Sequence, residues 1–235
     1  MGEYALGSSG GGQAATGGGH APLREQLLDA AQAVILEQGI GTMTLDKVAA
    51  KAKVSKGGLL HHFPSKDALV GAIVRRVVNA WRSDLREAIA GQPEGRLRVP
   101  RAMLDGCISK PEEWTETLRN ASICVIAAMS EHPKHAEPSR EVYAELEDTM
   151  HRDGTPEGLA QLVVCAMDGL WMSFVFGTRA FSKQRLDAMA TCLRSVIAMH
   201  DEEPASAGRA RRPQPAAARP ARTKAKTKRA KAAKT

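Results

Sequence analysis

Between residues 22 and 201, apolar side chains recur at spacings of three and four, and no stretch sustains the strict alternation of a half-buried strand. That period restricts the body of this 235-residue chain to an all-α fold of one-sided helices packed on one another. Leu27, Ala31 and Val34 mark a first helix over Leu23–Gln38, with Gly39 as its C-terminal cap. Thr44 begins a second helix, and Asp46 suits its positive end. The turn Ala52-Lys53-Val54 leads to a short third helix capped by Ser55, in which Val54 and Leu59 hold the two positions of a hydrophobic staple. Phe63-Pro64 ends it. Ser65 caps a long fourth helix that runs through Leu69, Ile73, Val77 and Trp81. Further helices are predicted over 97–108, 112–130, 139–151, 157–176 and 183–200, with Thr155-Pro156 as cap and first-turn proline of the penultimate one. In the last helix Leu186, Met189, Leu193, Val196 and His200 form a narrow seam that wants another helix along it.

The two ends differ in kind from the body. Residues 1–21 are mostly Gly, Ser and Ala, with too little apolar surface to offset the entropy of ordering them, so a disordered N-terminus is expected. A second disordered segment is expected over 203–235, rich in Lys, Ala and Pro. The formal net charge of +7 divides unevenly, because eleven of the 33 basic residues follow Pro204, where no acid occurs. Within the body, positive charge gathers near the front, where residues 21–80 hold eight basic and five acidic side chains. A polyanionic partner suits that polarity, and an acidic substrate for the central region does not.

Cys107, Cys124, Cys165 and Cys192 lie far apart with no metal-ligand spacing, and are expected as buried, reduced thiols. Residues 159–176 are strongly apolar but interrupted by Gln161, Asp168 and Ser173, which predicts a buried helix and not a membrane span. No signal-peptide pattern is present, and a cytoplasmic, nucleoid-associated location is expected. There is no nucleophile elbow, phosphate loop or metal spacing, so neither an enzyme nor a cofactor is expected.

The second and third helices, with a tight turn between them and the first helix as a brace, make a helix-turn-helix whose last member can enter a DNA major groove. Lys56 stands at the first turn of that helix, where its ammonium and nearby amides can meet a phosphate. Gly57 and Gly58 are poor helix formers, at about 1 kcal/mol each relative to Ala, and their bare backbone allows close approach to a partner. His61 and His62 can donate to phosphate, and Lys66 adds charge at the next helix start.

The run Val54-Ser55-Lys56-Gly57-Gly58-Leu59-Leu60-His61-His62-Phe63-Pro64-Ser65-Lys66-Asp67-Ala68-Leu69 closely resembles the signature of TetR-family transcriptional regulators, and the likeness extends over about 23–77. The resemblance implies a homodimer of all-helical subunits on a palindromic operator in double-stranded DNA, usually a repressor released by a small molecule. Thr44, Ser55, Lys56, Gly57, Gly58, His61 and Lys66 match the DNA-contacting positions of that signature. Many members carry Tyr where Leu60 stands, which leaves Leu60 to touch a thymine methyl or the core. Glycine is usual at the position of Lys53, and a left-handed conformation of the lysine there would cost about 1–2 kcal/mol.

These readings divide the chain into a helix-turn-helix domain at 22–66 and a ligand-binding and dimerisation domain at 67–202, the dimer forming through the last two helices. Trp114, residues 119–133 and 165–171 are similar to regulators of drug-efflux genes. Trp114, Met129, Tyr143, Trp171, Met172 and Phe174 are candidates for a ligand pocket or for ordinary core. Asp168, a carboxylate inside an apolar run, is costly unless paired or exposed; it could meet a cationic ligand, pair with Arg119 or Arg179, or cap across the dimer. The inducer would thus be cationic or aromatic. The Lys/Ala-rich tail resembles those of linker histones and bacterial nucleoid proteins, so an architectural DNA-binding protein dominated by its tail is the alternative.

Overall fold

The computed structural model describes residues 22–108 and 114–201, all helix and connecting turns; the expectations for 1–21 and 203–235 lie outside the described residues. In chain order the helices are α1 Leu23–Gln38, α2 Leu45–Lys51, α3 Lys56–His62, α4 Lys66–Ala90, α5 Arg98–Met103, α6 Glu116–Glu131, α7 Glu137–Arg152, α8 Glu157–Phe176 and α9 Lys183–Asp201. Local chemistry sets most of these limits. Thr44, Ser55, Ser65 and Thr115 each accept a first-turn amide at a helix start. Gly39 closes α1 at a φ of 81°.

Two cores are stacked along α4. The first joins α1, α2 and α3 to the N-terminal half of α4 and to α6, around Leu27, Leu28, Val48, Leu59, Leu69 and Ile73. The second joins α5, α7, α8 and α9 around Leu97, Met150, Val163, Leu170, Leu186 and Ile197. Leu85 on α4 touches both. At 25 residues, and so about 37 Å, α4 is the rod that connects them.

The predicted helix over 97–108 is divided. Leu97 is fully buried at a φ of 63°, α5 is short, and the backbone widens into a π turn over Leu104–Ile108. This turn packs against α4, where a Cβ on Gly106 would lie at an ordinary 3.6 Å from that of Ala88. Thr155 does not cap α8: Pro156 takes the cap position with a ψ of 136°, and the Thr155 hydroxyl is buried without a hydrogen-bond partner.

The seam expected on α9 splits in two. Leu186 and Leu193 face the subunit's own core with Ala190 and Ile197, whereas Met189, Cys192 and Met199 are exposed and Val196 is half-exposed. Two registers one residue apart were merged in the sequence pattern. α8 has the same two-sidedness. Leu159, Val163, Met167 and Leu170 are buried, while Gly158, Leu162, Cys165, Gly169, Met172 and Phe176 form an exposed row at spacings of four and three. α8 is long and apolar enough to cross a membrane by length and composition, but one side of it builds the second core. Of the cysteines, Cys124 is buried and its thiol is pushed up to about 11 by burial, so it stays protonated; Cys165 and Cys192 are exposed, contrary to expectation.

Polar contacts tie the start of α4 to the turn after α6. Lys66 donates to Glu131 at 3.1 Å and to the Ile40 carbonyl at 2.7 Å. Asp67 pairs with Lys134 at 2.7 Å and lies 3.2 Å from Nε2 of the buried His135. The hydrogen bond from Lys134, with the charges of Lys134, His135 and His132, holds the Asp67 carboxyl below its ordinary 3.8. A carboxyl depressed in the folded state stabilises fully above its unfolded value and loses that contribution as pH falls through the folded one. Asp67→Asn is therefore expected to be less stable than the parent at pH 7, with the gap closing below pH 3.8. Denaturation at both pH values checks this.

Candidate functional site

α2, its turn and α3 are held in place from within. The Lys47 amide donates to Thr44 Oγ1 at 3.3 Å, and the Gly58 amide to Ser55 Oγ at 3.1 Å. Each hydroxyl keeps its own proton for an outside acceptor. Lys53 makes the turn at a φ of 56°, a left-handed conformation, and the Val54 amide closes back on the Ala49 carbonyl at 3.0 Å.

Leu59 is completely buried and Phe63 nearly so, with the Arg24 guanidinium 5.4 Å from the Phe63 ring centroid. These anchors leave Lys56, Gly57, Leu60 and His61 on the outer side of α3, all exposed. Leu60 is 38% exposed, which removes the core from its two alternatives.

The glycines are informative because the fold does not require them. Neither has a positive φ. A Cβ on Gly57 would have Ser55 Oγ as its nearest neighbour at 4.0 Å, and one on Gly58 would meet the same atom at 3.4 Å, an ordinary contact. Alanine would favour the helix at both positions. The cost of glycine is thus offset by nothing inside the subunit.

Lys56 pairs with Asp46 of α2 at 3.0 Å, both side chains more than half exposed. Lys66, by contrast, is engaged by Glu131 and the Ile40 carbonyl and does not stand free on the α3 face. The Lys56–Asp46 pairing was not foreseen. The signal was present: Asp46 is the second residue of α2 and Lys56 the first of α3, and the tight turn brings those two ends together.

The candidate ligand residues fall into four places. Trp114, Trp171 and Phe174 pack on one another, with ring centroids 5.3 Å apart for Trp114–Phe174, 5.6 Å for Trp171–Phe174 and 6.5 Å for the two tryptophans. Tyr143 donates its hydroxyl to Asp168 Oδ1 at 2.6 Å and lies 5.4 Å from the ring of Trp81 on α4. Met129 packs against the first core, and Met172 belongs to the exposed row of α8.

The Asp168 partner is therefore Tyr143. Arg119 instead donates to the Val175 carbonyl at 3.0 Å, and Arg179 lies over Phe181. Burial, then the hydrogen bond to Asp168 and repulsion by its charge, push the Tyr143 hydroxyl well up, so it remains a neutral donor. A neutral donor orients the carboxylate without cancelling its charge. Among the described residues no basic side chain forms an ion pair with Asp168.

Residues 27–73 match the family described as bacterial regulatory proteins, tetR family, and residues 97–198 match the tetracyclin repressor-like C-terminal domain. The chain is 29% identical over 161 residues to the HTH-type transcriptional regulator BetI of Burkholderia cenocepacia, covering 63% of this chain and 80% of that protein. Among solved structures it is similar to a transcriptional regulator from Pseudomonas aeruginosa, with a TM-score of 0.59 at 23% identity over 74% of this chain and 90% of that one. The multidrug binding protein EbrR, solved with malachite green, superposes with a TM-score of 0.53 at 24% identity, over 72% of this chain and 96% of that one. At these identities the structural likeness speaks for the fold.

Proposed function

The chain belongs to the TetR family of DNA-binding transcriptional regulators, and from that premise we propose that it is a repressor that leaves a palindromic operator when a small organic cation binds its C-terminal helices. The observation that carries the DNA half is the outer face of α3. Two glycines that the fold does not need are flanked there by Lys56 and His61, with Thr44 and Ser55 hydroxyls at the adjoining helix starts. A backbone bare on one side and ringed by phosphate-binding groups suits close entry into a major groove.

Two copies of α3 are needed to read a palindrome. The exposed rows of α8 and α9 supply a second copy of this chain with a matching surface, since apolar rows of this length are uncommon on a free subunit. Small residues in the α8 row, Gly158, Cys165 and Gly169, favour a close helix crossing.

The ligand half rests on Asp168. Its half-buried carboxylate accepts a hydrogen bond from a neutral phenol, and Trp171 lies one helical turn away with Trp114 and Phe174 packed on it. Aromatic faces beside an uncompensated carboxylate favour a cation. Malachite green, the molecule bound in the EbrR structure, is an aromatic organic cation and a suitable probe. It is expected to quench the tryptophan fluorescence of the full chain, and Asp168→Asn to weaken its binding by about ten-fold or more. Equal affinity for both proteins would remove Asp168 from the site.

The operator is tested by footprinting the full-length chain on the DNA upstream of its own coding sequence. The expected result is a discrete protected palindrome with half-sites about one helical turn apart, or a multiple of that. Continuous protection would favour the architectural alternative, in which the basic residues after Pro204 dominate. No preference over random DNA would refute the repressor reading.

A further inference from the structure

We propose that Leu60 reads one thymine in each half-site by contact with its C5 methyl group, a step that rests on the DNA-reading role given to α3. Leu59 and Phe63 turn one side of α3 into the core, so the row Lys56, Gly57, Leu60, His61 faces away from the protein. Helical side chains lean toward the N-terminus, and the isobutyl group of Leu60 therefore lies over the turn that contains Lys56 and Gly57. Gly57 offers nothing there to cover it. The space beside that glycine holds only Ser55 Oγ, 4.0 Å from where a Cβ would be.

Leu60 is thus an apolar projection set among cationic and hydrogen-bonding neighbours. Its own core does not use it. Among the described residues it also differs from the other large exposed hydrophobic side chains, which lie on α1, α8 or α9. A leucine gains nothing from a phosphate, because it neither donates nor accepts a hydrogen bond. On the floor of a major groove the apolar group that a base pair presents is the C5 methyl of thymine. Lys56 and His61 would fix the helix on the backbone while Leu60, between them, contacts the base.

The experiment separates the methyl from everything else about the site. Duplexes preferred by the full-length chain are first enriched from a randomised library. Each thymine, at symmetric positions of both half-sites, is then replaced by deoxyuridine, which lacks only the methyl. The parent protein is expected to lose about four-fold in affinity per half-site, or about fifteen-fold for the pair, at one thymine position. Leu60→Ala is expected to bind the thymine duplex that much more weakly and to be indifferent to deoxyuridine there, with its thermal stability unchanged. Tolerance of every deoxyuridine by the parent protein would overturn the proposal, and so would retained sensitivity in Leu60→Ala. If the library yields no enriched palindrome, the regulator reading fails and takes this inference with it.

Discussion

Replacing Gly57 by alanine is expected to make the protein more stable and the regulator worse. The new methyl group enters open space in the free subunit, and the helix gains the propensity that glycine lacks. The expected gain is about 0.5–1 kcal/mol, or roughly 1–4 °C in Tm for a folded body of this size. In the proposed complex with DNA the same methyl would stand between the α3 backbone and the groove. If the misfit costs about 1.4 kcal/mol at each of two half-sites, operator affinity falls on the order of a hundred-fold. Calorimetry and a binding titration on one preparation check both halves. Opposite signs are what make the test specific, because a merely unfolding substitution lowers both quantities. A stabilised variant with undiminished affinity would mean that the glycine answers to something other than DNA.

Gly169→Arg is expected to have the larger effect. Gly169 lies in the middle of the exposed row of α8, and a Cβ there meets nothing within 4 Å. The isolated subunit can therefore carry the arginine, its charge in water. A second subunit packed on the row cannot accommodate it, since a close crossing has no room and a buried guanidinium would have no partner. The variant should sediment as a monomer at micromolar concentration with its helical content intact. Losing the link between two α3 helices forfeits an effective concentration in the millimolar range, so operator affinity should fall on the order of a thousand-fold. A dimer that survives this substitution would place the interface elsewhere.

Features decided by near neighbours in the chain were legible before the structure. The limits of α1 and the caps at Thr44, Ser55 and Ser65 depend on a few adjacent residues, and they came out as the residue types require. Features that depend on distant partners did not. Asp168 announced that it needed a partner, but whether Arg119, Arg179 or Tyr143 supplied it depended on how α7 lies against α8. Trp81 beside Tyr143 was hidden for the same reason. The α9 seam failed differently. That helix carries apolar residues on two sides, one for its own core and one exposed, and periodicity alone cannot say which member belongs to which. Thr155 shows the limit of a cap motif, because the following proline can take the terminal position itself.

If Lys56 meets a phosphate as proposed for α3, its contact with Asp46 changes what DNA association involves electrostatically. In the unbound protein the carboxylate of Asp46 would then stand where a phosphate comes to lie, so the lysine reaches DNA with an anion already beside it. Docking then exchanges one anion for another across a few ångströms. Asp46 is left to find a solvent cation, which opposes the release of condensed ions from the duplex. The ionic-strength dependence contributed by this lysine is accordingly muted relative to an unpaired one. Arbitrary sequences, which offer charge and little else, gain less from it than a site whose groove also fits the rest of the helix.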